Sequence, residues 1–167
     1  MSAPQNLQEL YNHELKDLWS ANDQMHRALK KMAPKCTDPD LQKMMEKSIS
    51  SIETHSETLK ELVAASGEKV SKEHCKGMEG LVAEAIKHTI DEAPDKGPVL
   101  DAVVIAQYQR MTHYAIAGFG TAASFAGTLG QKKDKTQLDK LTREVYGNDE
   151  YMTKLAEMTV NIEAESA

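Results

Sequence analysis

At 167 residues, 40% hydrophobic and 28% charged, the chain is long enough to bury one substantial core and predicts a single domain, 1–167. Its net charge of −6, with lysines and arginines scattered among acids, leaves no basic footprint for nucleic acid or an anionic membrane surface. Nine methionines and 5% aromatic residues suit a helical protein. Cys36 and Cys75 are the only cysteines; without metal or redox spacing they read as free buried thiols. No charged-then-apolar leader opens the sequence, so the expected compartment is the reducing cytoplasm.

Pro4, preceded by Ser2, predicts a first helix over about 4–33. Its stripe is Leu7, Leu10, Tyr11, Glu14, Leu18, Ala21, Met25, Leu29 and Met32, and Pro34 ends it. Thr37-Asp38-Pro39 starts the second helix, 39–65, with Asp38 as N-cap and Pro39 in the first turn. Leu41, Met45, Ser48, Ile52, His55, Leu59 and Leu62 form its inner face, and Gly67 closes it. Ser71 is expected to cap a shorter helix, 72–92, that stops before Pro94.

Asp95-Lys96-Gly97-Pro98 is a turn into a fourth helix, 98–127. From Asp101 to Thr121 it is apolar over more than half its length, yet too interrupted by Gln, Arg and His to span a membrane. Val104, Tyr108, Met111, Thr112, Ala115, Phe119 and Ala122 share one stripe, and Ala117, Gly118 and Gly120 let neighbours approach closely. This predicts the central helix of a bundle. A last helix, 135–163, starting near Asp134 or Thr136, carries Leu138, Leu141, Val145, Asn148, Met152 and Leu155 inward. The expected fold is all-α: an antiparallel four-helix bundle with a short fifth helix in one long crossover, the connectivity of ferritin-like bundles.

Several strings resemble one family. Ile105-Ala-Gln-Tyr-Gln-Arg-Met-Thr-His-Tyr-Ala-Ile-Ala-Gly-Phe-Gly-Thr121, Cys75-Lys-Gly-Met-Glu-Gly-Leu81, Glu53-Thr54, Asp17-Leu-Trp-Ser-Ala21 and Gln24 are similar to the bacterial YciF/YciE proteins, in the same order over nearly the whole chain. That ferritin-like group is associated with stress responses and has no defined biochemical function. The resemblance implies a homodimer and a carboxylate-rich centre that holds two metal ions in many members. Such ions, about 3.5 to 4 Å apart, need bridging carboxylates to offset their repulsion.

This sequence departs from that requirement. Where the resemblance implies glutamate after the Ser-Ala pair stands Asn22. Glu53 is retained, with Ile52 before it. The expected Glu-His-Tyr-Glu reads Thr112-His113-Tyr114-Ala115, and the last helix has Gly147-Asn148 for Glu-Glu. One expected inward carboxylate remains, so the centre is read as a relict of Asn22, Glu53, Thr112, Ala115 and Asn148, with polar side chains and room for an ordered water around Glu53. A rival ligand set is Glu14, Asp17, Glu53, His55 and His113, but no Glu-x-x-His pair remains on the second or last long helix. No nucleophile triad, phosphate loop or dinucleotide motif is present. The expectation is therefore a stress-associated structural or interaction protein without cofactor. The alternative is a di-iron or di-manganese oxidase or peroxide-handling enzyme.

Overall fold

The side chain of Asn6 accepts a hydrogen bond from the amide of Glu9 and starts the first helix, α1, at Leu7–Met32. Pro4 therefore precedes the helix, and Ser2 lies outside residues 3–167, which the computed structural model describes. Asp38 caps α2, Pro39–Ala65, through the amide of Leu41, and Gly67 follows in the left-handed region at φ 77°. The third helix, α3, runs Lys76–Ile86 and continues through a π-helical turn, Lys87–Asp91. Ser71 is not its cap. Cys75 is, its sulfur accepting from the amide of Met78. The fourth helix, α4, spans Pro98–Thr128. Gly130, at φ 75°, reverses the chain so tightly that α5 begins at Lys132, ahead of the expected start near Asp134 or Thr136. Helix α5 ends at Leu155 and passes through a second π-helical turn, Ala156–Val160, into α6, Asn161–Glu165.

The fold is an all-α bundle. Tyr11 of α1 shares a core cluster with Leu62 of α2 and Ala126 of α4. Met32, Leu41 and Leu100 meet in a second cluster at the opposite end. Helices α1 and α2 are thus antiparallel, as are α4 and α5, and the segment between Ala65 and Pro98 must travel the length of the bundle. Its extended first part lies along a polar stripe of α1. Asn12, Lys16, Ser20 and Gln24 recur every four residues there, and each is at least nine-tenths buried. Asn12 Nδ2 and Lys16 Nζ donate to Glu68, the Glu73 amide donates to Lys16 O, and Ser20 Oγ accepts from the Cys75 amide. Gln24 Nε2 donates to Cys75 O at 2.9 Å. At the other end the buried Asp101 carboxylate accepts from the amides of Thr37 and Asp38 and from the Thr37 hydroxyl, fastening α4 to the α1–α2 connection.

The small residues of α4 serve close approach in one place. A Cβ on Gly118 would run into Leu18 of α1, whereas one on Gly120 would meet nothing. Cys36 and Cys75 are buried free thiols. Among the described residues no helix is long and apolar enough to cross a membrane.

Candidate functional site

The two apolar clusters meet at a polar layer midway along the bundle. Asn22 enters it from α1, Ser48 and His55 from α2, Tyr108 and Thr112 from α4, and Asn148 from α5; all six are at least nine-tenths buried. Their inward direction follows from position. Each lies on the helix stripe that carries the flanking core residues, one or two turns from an apolar neighbour such as Met25, Ile52, Phe119 or Val145. Together they line a cavity of about 20 Å³.

Some of these groups are paired. The Ser48 and Tyr108 hydroxyls lie 2.9 Å apart, and Lys47 Nζ donates from outside to Asn148 Oδ1 at 3.4 Å. The His55 ring stands edge-on to Phe119, centroids 5.8 Å apart at 83°. Its Nε2 is 3.5 Å from Glu144 Oε2, too long for a strong bond. Burial holds the His55 pKa below its ordinary value, and the Glu144 carboxylate only partly opposes this. Burial also works against the Glu144 carboxylate, yet the neighbouring Ser51 and His55 and the charge of Lys140 keep its pKa below the usual range. The Tyr108 pKa is raised, chiefly by burial. Three buried atoms lining the cavity have no hydrogen-bond partner: Asn22 Nδ2, His55 Nε2 and Thr112 Oγ1.

Glu53 is not in this layer. It lies on the outer face of α2, where His26 Nε2 approaches its Oε1 to 2.8 Å and Lys30 Nζ to 3.6 Å. The expectation that polar side chains would gather around Glu53 is corrected accordingly: Ser48, Ile52, His55 and Leu59 form the buried row of α2, and Glu53 lies one residue off it. The residue that α2 sends to the centre is His55. Ala115 is buried beside the cavity and supplies no donor atom, while Gly147 is exposed at an outer groove between α2 and α5.

The rival ligand set also stays dispersed. His113 is exposed and paired with Asp149 at 3.0 Å. Glu14 and Asp17 lie on α1 beside Gly118 and Tyr114, away from the central cavity. Burial raises the Glu14 pKa, and the neighbouring Asp17 charge adds to it. Asp17 accepts from Tyr114 Oη at 3.0 Å, and Cys75 Sγ lies 3.0 Å from that same oxygen. This chain locks α3 to α1 and α4. It also accounts for Gly77, where a Cβ would come within 2.7 Å of the Tyr114 ring. The other four histidines all have acidic neighbours: His13 with Glu73, His26 with Glu53, His74 with Glu79 and His88 with Glu84. Among the described residues, no three His, Cys, Asp or Glu side chains are grouped so as to hold a metal ion.

Residues 6–165 match a domain of unknown function, DUF892. The chain belongs to the DUF892 family. It is 32% identical over 161 residues to protein YciF of Escherichia coli K12, covering 96% of each chain. The crystal structure of that E. coli stress protein superposes with a TM-score of 0.87 at 31% identity, covering 95% of this chain and 99% of the other. YcfI of Rhodopseudomonas palustris, for which a structural role has been suggested, gives a TM-score of 0.83 at 30% identity, covering 89% and 94%. The DUF892 chain described here thus shares its all-α architecture with a stress protein along nearly its full length.

Two features of the site escaped the sequence reading. The Ser48–Tyr108 pair required knowing which turn of α2 faces which turn of α4. Glu144 beside His55 joins residues on different helices with no local signal. The α1 stripe was legible in principle, because Asn12, Lys16, Ser20 and Gln24 keep strict four-residue spacing.

Proposed function

We propose that this DUF892 protein is a non-enzymatic, stress-associated helical bundle, a structural or interaction module in which a di-metal centre of ferritin-like type has become a neutral polar core. The observation that carries the reading is the donor set at the centre. Asn22, Ser48, His55, Tyr108, Thr112 and Asn148 bring no carboxylate, and Glu53 is outside on the surface of α2. Hard cations are held by anionic oxygens, and a pair of them needs carboxylates to bridge and neutralise their charge. Neutral amides, hydroxyls and one imidazole do not supply this. A cavity of about 20 Å³ offers room for one water-sized atom rather than two ions and their ligands.

The role in stress is supported by the full-length likeness to an E. coli stress protein, and the structural character by the suggestion made for YcfI. Within this reading the protein is cytoplasmic and works as a homodimer without nucleic acid. The exposed Tyr146, Tyr151, Met158 and Ile162 along α5 and α6 give a second copy apolar surface to cover.

The test is elemental analysis of protein expressed with iron and manganese in excess and purified without chelator, together with its mass in solution. Less than a tenth of an ion per chain is expected; two bound ions per chain refute the proposal and favour a di-iron or di-manganese oxidase.

A further inference from the structure

We propose that the central cavity holds one structural water molecule, bonded to Asn22 Nδ2, Thr112 Oγ1 and His55 Nε2. The inference starts from three atoms with the same defect. Each is buried, each lines the same cavity, and none has a hydrogen-bond partner in the protein. Asn22 and His55 are 2% exposed and Thr112 is 0% exposed. A single buried polar atom without a partner is uncommon in folded proteins; three around one void point to a shared missing partner.

The size of the void decides how many molecules fill it. Its volume of about 20 Å³ exceeds the roughly 10–15 Å³ that one water requires and falls short of two. The chemistry of the three atoms decides what kind of molecule it is. The Asn22 amide nitrogen only donates, the Thr112 hydroxyl donates or accepts, and a neutral imidazole nitrogen does one or the other according to tautomer. Water, with two protons and two lone pairs, satisfies all three at once. A halide accepts only, and it would place a buried negative charge beside the Glu144 carboxylate, 3.5 Å from His55. A metal cation finds no anionic oxygen among the three residues. The Ser48 and Tyr108 hydroxyls already pair with each other, and so leave the water to the three unpartnered atoms.

The proposal rests on the metal-free reading in one respect, that the occupant of the cavity is neutral. The experiment is a crystal structure of the full chain at a resolution that places ordered water, grown once with chloride and once with bromide, with elemental analysis of the same protein batch. The expected result is one peak of oxygen strength within hydrogen-bond distance of Asn22 Nδ2, Thr112 Oγ1 and His55 Nε2, identical in the two crystals. Thr112→Val, which keeps the shape and removes the hydroxyl, should at least halve the occupancy of that peak. An empty cavity or an anomalous bromide peak overturns the water, and an unchanged peak in Thr112→Val overturns its assignment to these three atoms; each leaves the metal-free reading intact. A metal peak matched by stoichiometric metal in solution overturns both.

Discussion

Two regions of this bundle bury polar side chains to the same depth and handle them in opposite ways. Along α1, Asn12, Lys16, Ser20 and Gln24 meet the extended part of the crossover and find partners there. At the centre, Asn22, His55 and Thr112 face one another across a void and find none within the protein. The difference lies in what is opposite. The stripe faces a non-helical segment, which offers it the Glu68 carboxylate and the Cys75 amide and carbonyl, groups that must be bonded by something once they are buried. The centre faces other helices, whose backbone groups are already used, so only side chains or solvent can answer. Buried polarity therefore joins the crossover to the bundle in the first place and leaves an open valence in the second.

The comparison is broken most severely by stripping the stripe. Ser20 and Gln24 hold both backbone groups of Cys75, a residue with 0% exposure. Ser20→Ala with Gln24→Leu leaves that amide buried and unbonded, at about 1–3 kcal/mol, and strips one of the two bonds of the carbonyl, which also accepts from the Glu79 amide. Urea denaturation should report a loss of about 3 kcal/mol, and hydrogen exchange at the Cys75 amide should quicken well ahead of exchange in α4. Uniform acceleration across all helices would show that the stripe does not fasten the crossover in particular.

Acidification tests the centre. The His55 pKa is lowered from 6.5, with burial the larger cause and Glu144 opposing it. Between that lowered value and 6.5, the unfolded chain binds a proton that the folded chain refuses, so stability falls as pH drops through this window. In wild type the denaturation midpoint should decline as pH falls below about 6.5, and His55→Gln should flatten that decline. A decline of equal slope in His55→Gln would place its origin elsewhere, though not in Glu68, whose pKa is lowered by hydrogen bonds from Lys16 and then Asn12 and whose contribution is lost only as pH falls below the ordinary carboxylate value.

Thr112→Val sharpens the contrast from the side of the unpartnered groups. It removes a hydroxyl with no partner in the protein and keeps the volume, so its cost should stay under about 1 kcal/mol. Calorimetry gives the comparison directly. A loss as large as that from the stripe mutations would mean that the centre is as tightly bonded as the crossover.

Much of this was legible in the sequence. Asp38-Pro39, Pro34, Gly67 and Gly97-Pro98 act through local backbone preferences, and they mark helix ends that the structure places within a residue or two. The start of α3 was misplaced because Cys75, a weak acceptor, caps it in place of Ser71. Cys75 is held there by Ser20, Gln24 and Tyr114 from other helices. The centre was half legible. Thr112, Ala115 and Asn148 fall on inward stripes and are found inward, since periodicity fixes which face a residue takes, and Asn22, placed by resemblance, is inward too. Glu53 was placed by resemblance against the periodicity of its own helix, on which Ile49, Ile52, His55 and Leu59 already mark the inner face.

Glu53 accordingly supplies the smallest expected effect. Its carboxylate is held in its ionised form chiefly by the His26 hydrogen bond, with Lys30 adding to it, and it stands in solvent. An exposed pair of this kind is screened by salt and gains little from holding flexible side chains together. Glu53→Gln should therefore leave the denaturation midpoint within error of wild type at neutral pH, while the NMR resonances of the His26 ring, which loses its partner at 2.8 Å, should move. Were Glu53 a lone carboxylate in the core, the same substitution would relieve a buried charge and alter both stability and the His55 resonances. A midpoint that moves substantially, or a response at His55 in place of His26, would return Glu53 to the centre and with it the anionic oxygen that the polar layer lacks.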